Sequence, residues 1–383
     1  MAPVEQCAPG QPGVDPKLLS TLIPLGSLME AHQQELLGNS EVLYLCQGDS
    51  LFHIGQYDQT EFYLLSGEVR LEFSPDRHVY VTAGKAFAPI AQAQPRNCTA
   101  FASTDATLLK VNRLHLERLL GWSQAAEHLL VDLSIQRDLD EDAVWLDTVL
   151  RSNLFLKVPP TNVNNIIKHL VTRVVNAGEV IIRQGDLGDC CYFIKEGVAD
   201  VTRADVAPGA YTRGVHPEHL ATICEGRCFG EDALIQETRR NATVTMQTDG
   251  VLLVLDKHRF LGLLKEPVVD EITPQTLQSS GHQCIFLDVR TEAEYNLGHL
   301  AESVNVPLHL LHLKQRLLDP SKCYIAYCNS GLRSRVVCHF LREMGYEVVS
   351  LQGGIASLER EYKQQHWSRR DYFLKNGQVM EGH

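Results

Sequence analysis

The sequence predicts a multidomain protein of α+β and α/β class: two antiparallel β-barrel or jelly-roll modules with flanking helices, then a parallel-sheet α/β domain. Three observations carry that expectation. At 383 residues the chain is long for one domain. It contains a repeat, in which LFHIGQYDQTEFYLLSGEV (Leu51 to Val69) aligns without a gap on IIRQGDLGDCCYFIKEGVA (Ile181 to Ala199). And residues 323–345, CYIAYCNSGLRSRVVCHFLREMG, pass from an apolar β-type run through a short loop into an apolar-periodic helix.

The repeat sets Gly55 on Gly185, Tyr63 on Phe193 and Gly67 on Gly197, and it continues where DATLLKVNRLHLERLL (from Asp105) matches DGVLLVLDKHRFLGLL (from Asp249). Each copy reads as short alternating strands broken by Gly-Asp and Gly-Glu turns, the pattern of an antiparallel barrel or jelly roll. A helical stretch precedes each one, IPLGSLMEAHQQELL and LFLKVPPTNVNNIIKHLV. Between the copies, Leu114 to Leu156 has apolar residues at helical spacing. That segment suits either a relay or dimer helix between modules or a helix packed on its own barrel, with its charge run DLDEDA a solvated junction. The boundaries that follow are a flexible lead 1–16, a first module 17–120, a helical linker 121–153, a second module 154–265, an α/β domain 271–365 and a tail 366–383, read as a solvated helix with a basic pair at Arg369 and Arg370.

Composition narrows the function. Hydrophobic content of 44% and charged content of 21% describe an ordinary globular chain, and a net charge of −12 disfavours a sequence-independent hold on nucleic acid. No run approaches the length of apolar residues that a membrane span needs. The start, MAPVEQCAPGQPGVDP, has neither the positive region nor the apolar core of a signal peptide. Eleven irregularly spaced cysteines do not resemble a secreted disulfide framework, and no CxxC or HxxxH pair suggests zinc, so a reduced cytoplasmic setting without a metal is expected.

Chemistry concentrates at Cys328. The strand CYIAY delivers it into the loop NSGLR, and Ser334 opens the helix behind it. Loop amides on a helix N-terminus form an anion pocket, and the same positive end with Arg333 beside it favours the nucleophilic thiolate. The competing interpretation is a buried strand-end cysteine. Gly331 and Arg333, spaced as a tight anion loop requires, favour the functional one.

These residues resemble the rhodanese family of sulfurtransferases, whose active loop reads C-x-x-G-x-R-S/T. The resemblance runs from Glu271 to about Tyr362 and includes FLDVRTEAEYNLGHLAESVNVPL (Phe286 to Leu308) and GYEVVSLQGGI (Gly345 to Ile355). It implies that Cys328 takes sulfane sulfur as a persulfide. Arg333 and the loop Asn329, Ser330, Gly331, Leu332 and Ser334 would hold a small anionic sulfane-sulfur donor. Asp288 and Arg290 are expected to brace the strand end and His299 to be structural. Leu358 stands where the family often has Trp. The loop from Cys328 to Arg333 has six residues, the sulfurtransferase length, where phosphatases of the same fold carry seven.

A second resemblance lies in the second module. In FGEDALIQETRRNAT (Phe229 to Thr243) a Gly-Glu turn opens a short helical segment and an arginine follows where the chain returns to a strand. Amides at a helix start and an arginine can share a phosphate, although Glu231 and Arg240 alone could be a surface ion pair. The stretch matches the phosphate-binding cassette of cyclic-nucleotide-binding domains, and RQGDLGDCCYFIKEGVADV (Arg183 to Val201) matches that family's barrel signature. The tandem arrangement is similar to the regulatory subunits of cyclic-AMP-dependent kinase. By resemblance, Glu231 would bond the ribose 2′-hydroxyl, Arg240 the cyclic phosphate, and amides of Gly230, Glu231, Asp232 and Ala233 the rest of the cradle, with Asn241 and Ala242 beside it. Asp232 puts a negative charge inside the cassette, and Arg239 replaces a frequent proline. Asn241 is neither the Ala typical for cAMP nor the Thr typical for cGMP, so cAMP is the expected ligand with cGMP left open. The first copy keeps PRNCTA, so Arg96 aligns with Arg240, but FAPIAQAQ (Phe87 to Gln94) supplies no acid. A ribose hydroxyl there would lose about 1–3 kcal/mol. A degenerate first module follows.

Together these features predict a cyclic-nucleotide-responsive sulfurtransferase. The alternative is a signalling adaptor in which the rhodanese-like domain docks a protein partner or carries sulfur, with homodimerisation open. A transcription factor is set aside, because no basic recognition helix follows the barrel. So is a kinase regulatory subunit, because the lead lacks an R-R-x-A/S inhibitor segment.

Overall fold

Gly67 and Gly197, equivalent in the repeat, show why the two modules share a fold. Both have positive φ, and a Cβ on Gly67 would lie 2.2 Å from the Asp105 carbonyl oxygen, one on Gly197 2.9 Å from that of Asp249. Each glycine lets a strand turn tightly under its neighbour. The computed structural model describes residues 14–85, 87–136, 158–163, 165, 169–204, 217–279, 284–375 and 377–382.

Two antiparallel sheets face each other in each module. In the first, Ala106–Asn112 lies between Glu41–Leu45 and Thr60–Ser66, with Tyr63 opposite Leu109. The facing sheet orders Ser50–Phe52, Thr99–Ala102, Glu68–Ser74 and Arg77–Thr82. Phe52, Phe62, Leu64, Val69 and Leu71 fill the space between. The second module repeats this around Tyr192, Ile194, Phe229, Val244 and Leu252, with Cys190–Glu196 paired to Gly250–Asp256. Alternate residues point inward, as a two-layer sandwich requires.

The third domain is a five-stranded parallel sheet in the order Glu271–Ile272, Glu347–Leu351, Cys323–Tyr327, Ile285–Asp288, Ser303–Asn305. The loop helix Leu332–Glu343 packs on it through Val336, Val337, Phe340 and Leu341. Strand pairing of Ile285 with Tyr324 brings the preceding residues together, and Cys284 and Cys323 form a disulfide with Cα atoms 4.8 Å apart. The irregular cysteine spacing predicts no such pair, because which strands become parallel neighbours is fixed only by the fold.

The tail also differs from expectation. Arg360–His366 is helical, but Trp367–Ser368 pairs with His299–Leu300, and Tyr372–Lys375 with Gln378–Glu381 forms a hairpin that buries Leu374. Asn376-Gly377 between β-forming residues is the hairpin signal that the solvated-helix reading overlooked.

Between the modules, a helix spans Arg113–Gln136. Leu116, Leu119 and Leu120 join the first module's core with Leu19, Leu25 and Leu36. Trp122, Ala125, Ala126 and Leu129 belong to a different core that also holds Phe193, Leu255 and Phe260 of the second module and Val336, Val337 and Phe340 of the third. The helix therefore packs on its own barrel and also bridges the other two domains. Its middle turns are buried on several sides, and they carry polar side chains, Glu117, Ser123, Gln124 and His128, into the contacts as well as apolar ones. The charge run Asp138 to Ala143 lies outside the described residues.

Candidate functional sites

Cys328 directly follows the strand Cys323–Tyr327 and is fully buried. The Gly331 amide donates to its Sγ at 3.1 Å, and Ser334 Oγ lies 3.9 Å away. Gly331 caps the loop helix in left-handed geometry with φ 92°. The turn at Gly353 and Gly354 braces the loop from the other side: Ile355 and Ala356 amides donate to the Cys328 and Asn329 carbonyls at 2.8 and 2.9 Å. A Cβ on Gly354 would lie 2.3 Å from the Cys328 carbonyl oxygen, so only glycine fits. Ser334 Oγ donates to the Gly331 carbonyl at 3.0 Å and meets Ser350 Oγ at 2.8 Å.

Arg333 is fully buried and faces two carboxylates. Its guanidinium donates to both oxygens of Glu294 at 2.7 and 2.9 Å and to Glu117 Oε1 at 3.2 Å. Glu294 is set by a capping box with Thr291. Burial alone would raise its carboxyl, but the charge and hydrogen bonds of Arg333 outweigh that and hold it down at about 2. Asp288 and Arg290 form the expected brace, with Nη2 to Oδ2 at 2.6 Å, and Arg290 Nη1 also reaches Asn329 Oδ1 at 3.3 Å. His299 stacks on Tyr295 and bonds two backbone carbonyls, a structural placement.

Sequence reasoning missed Glu117. It projects from the first module's spanning helix, is only 3% exposed, and accepts from Asn329 Nδ2 at 3.1 Å, Ser330 Oγ at 3.0 Å and Arg333. Nothing in the sequence could have joined residues so far apart. Glu61 lies in the same cluster and is ion-paired to Arg113 at 3.2 Å. Burial, then the nearby negative charges of Glu117 and Glu294, push its carboxyl up to about 7 against the pull of Arg113. Two adjoining cavities, of about 340 and 730 Å³, open between the first module and the third domain and share Glu61, Gln92, Asn329, Ile355 and Trp367.

The second module's cassette is a turn, a short helix and the start of a strand. Gly230 (φ 85°) caps the helix Glu231–Ile235, with Glu231 and Ala233 buried and Asp232 exposed. Arg240 is buried and donates to the carbonyls of Gly230 and Cys190, each at 2.6 Å. Its carboxylate partner Asp189, at 3.2 Å, is 79% exposed in its side chain. Asn241 is exposed and Ala242 buried, leading into the strand Thr243–Met246. In the first module Arg96 has two carbonyl contacts of the same kind and, in addition, a carboxylate on two of its donors. Asp58 takes two of its donors at 2.7 and 3.1 Å, the carbonyls of Ala91 and Thr60 take two more, and Phe52 and Phe62 lie beneath it. With four of five guanidinium N–H groups engaged, Arg96 is a structural strut.

Among the described residues no group of three or more His, Cys, Asp or Glu could hold a metal ion, and no helix is long and apolar enough to cross a membrane.

Comparisons with known proteins follow this division. Residues 42–121 and 172–266 match the family described as Cyclic nucleotide-binding domain, and residues 273–361 the Rhodanese-like domain. A cAMP-dependent protein kinase regulatory subunit from Eremothecium gossypii is 29% identical over 57% of this chain and 43% of its own. A cGMP-dependent protein kinase from Eimeria tenella is 26% identical over 68% of this chain and 24% of its own. A sulfurtransferase from Allochromatium vinosum is 30% identical over 24% of this chain and 91% of its own. The chain thus spans less than half the length of these kinase-related proteins and nearly the whole of the sulfurtransferase.

Proposed function

Because the C-terminal domain belongs to the rhodanese-like family and a pair of cyclic-nucleotide-binding domains precedes it, we propose that this protein binds cAMP in its second module and transfers sulfur through a persulfide on Cys328 under nucleotide control. Arg240 would receive the cyclic phosphate by exchanging its exposed partner Asp189, Glu231 the ribose hydroxyl, and the amides of Gly230 to Ala233 the remaining phosphate oxygens. Asn241, with Ala242 behind it, flanks that cradle. At the other end the thiolate of Cys328 attacks the outer sulfur of a sulfane-sulfur donor. The Gly331 amide is already aimed at Sγ, Asn329, Ser330, Leu332 and Ser334 shape the loop, and Arg333 positions it through Glu294.

One observation carries the reading: a single apolar core runs from the second module through the spanning helix to the helix behind Cys328. A ligand shifts such an arrangement only by binding one state more tightly than the other. Rates of sulfur transfer from thiosulfate, with and without saturating cAMP, test it. A several-fold change that disappears in Arg240→Ala supports control, and an unchanged rate refutes it. Parallel titration with cGMP fixes the base preference that Asn241 leaves open.

The full burial of Cys328 and the seating of Glu117 on its loop favour a second reading, a nucleotide-switched adaptor. There Cys328→Ser would keep nucleotide-dependent partner binding.

A further inference from the structure

The chain carries a net charge of −12, yet the larger cleft over the Cys328 loop is lined by four cations, Arg77, Arg113, Arg360 and Lys363, against one acid, Glu61. That acid is itself paired with Arg113. The cations come from both walls. Arg360 and Lys363 stand three residues apart on the helix Arg360–His366, so they share a face of the third domain. Arg77 answers from the first module, its guanidinium 5.1 Å from the Phe73 ring centre. Low-dielectric walls of one sign focus the field and raise the local concentration of oppositely charged ligands.

The same cleft meets the loop at Asn329 and Ser330, the two residues after Cys328. Its opposite wall includes Gln92 to Gln94 and Asn97, which flank Arg96 in the degenerate cassette. The face on which the first module would have held a nucleotide is thus turned toward the sulfur loop. At about 730 Å³ the cleft is large for an inorganic donor and of a size for a small organic molecule.

Resting on the sulfur-transfer reading above, we propose that this cleft is the acceptor subsite, built jointly by the first module and the rhodanese-like domain for a thiol carrying two or more carboxylates. In the step it serves, the acceptor thiolate attacks the outer sulfur of the Cys328 persulfide. The bond from that sulfur to Sγ breaks, its electron pair remains on Cys328 as thiolate, and the acceptor leaves as a persulfide. The donor, thiosulfate in the assay, has already supplied that sulfur and left as sulfite, so no outside oxidant or reductant enters.

The test uses the full-length protein with thiosulfate as donor and two acceptors, mercaptosuccinate and 2-mercaptoethanol, alongside calorimetric binding of succinate. The expected result is a kcat/KM about tenfold higher for mercaptosuccinate, competitive inhibition by succinate, and a ratio of the two thiols' kcat/KM that falls toward one in Arg77→Glu and Arg360→Glu. Equal kcat/KM for the two thiols, or a preference indifferent to both charge reversals, overturns the subsite. Succinate binding weakened by those reversals but with no sulfur transfer to either thiol overturns the sulfur reading while keeping the anion site. Sulfur transfer without succinate binding does the opposite.

Discussion

Glu61→Gln isolates the electrostatics of the seam between the first module and the sulfur loop. The Glu61 carboxyl is buried with Glu117 and Glu294 near it, and its pKa stands at about 7 instead of the ordinary 4.5. Below pH 4.5 the folded and unfolded chains both hold the proton and the site costs nothing. Above about pH 7 both release it, and the folded chain bears the whole cost of an ionised carboxylate in that place. The difference of about 2.5 units corresponds to ~3 kcal/mol, of which about 1 kcal/mol is already present at pH 5. Glutamine keeps the shape and can still accept from Tyr63, whose hydroxyl lies 3.2 Å from Glu61 Oε2, but it carries no charge to bury. The stability of Glu61→Gln relative to the parent should therefore rise by ~2 kcal/mol between pH 5 and pH 8. At roughly 2 °C per kcal/mol for a long chain, thermal unfolding should show a gap in Tm that widens by about 4 °C. A gap that stays constant over that range, or a variant less stable at pH 8, would refute the reasoning.

Three further outcomes follow from the same geometry. Glu117→Ala removes a negative charge beside the loop and the acceptor of Ser330 Oγ, while Asn329 keeps Glu294 and Arg290, so steady-state kinetics should show KM for an anionic donor falling about threefold to tenfold; calorimetry should show a stability loss of only ~1–3 kcal/mol, because Arg333 keeps Glu294. Arg96→Ala leaves Asp58, 17% exposed in its side chain, without its cation and should cost ~3–5 kcal/mol in denaturant unfolding, while cAMP stoichiometry by calorimetry stays the same. Gly354→Ala forces a Cβ against the Cys328 carbonyl at φ 59° and should abolish sulfur transfer while cAMP titration of the second module remains intact.

Local patterns were readable and distant pairings were not. The repeat, the strand–loop–helix around Cys328 and the cassette around Arg240 are each contiguous, so turn glycines, alternation and helical spacing outline them, but Glu231 and Arg240 alone read equally as a surface ion pair and it is the family resemblance that marks the cassette. The Asp288–Arg290 brace is separated by two residues and was equally legible. Glu294 is legible in the sequence as the last residue of the T-x-x-E capping box that opens at Thr291. The pairing of Tyr372–Lys375 with Gln378–Glu381 was likewise signalled in the sequence, by the Asn-Gly pair between them. Glu117 and the Cys284–Cys323 disulfide were of another kind, because each depends on how whole elements pack. The cleft with its four cations is also invisible in a chain whose overall charge is strongly negative, because charge balance says nothing about where the positive groups assemble.

Two routes connect the second module to the helix behind Cys328, and their energetics differ. One is the covalent link after the helix Lys257–Leu263, fastened to the loop helix by Glu266–Arg335 and Asp270–Arg342. Those side chains are 27–60% exposed, and pairs of that kind contribute ~0–1 kcal/mol each. The other is the spanning helix, where Trp122, Ala125 and Ala126 are fully buried between Val158, Phe260 and Val337. Close-packed contacts resist small shifts and transmit them, because interiors have little free volume. A coupling energy of ~1–3 kcal/mol, typical of ligand control, therefore fits the buried route better than the exposed one. Breaking both ion pairs with Glu266→Gln and Asp270→Asn should leave any cAMP effect on sulfur transfer nearly intact, whereas Trp122→Phe should weaken it while cAMP still binds. If the double variant alone abolishes the effect, control runs through the link and the spanning helix serves only to hold the domains together.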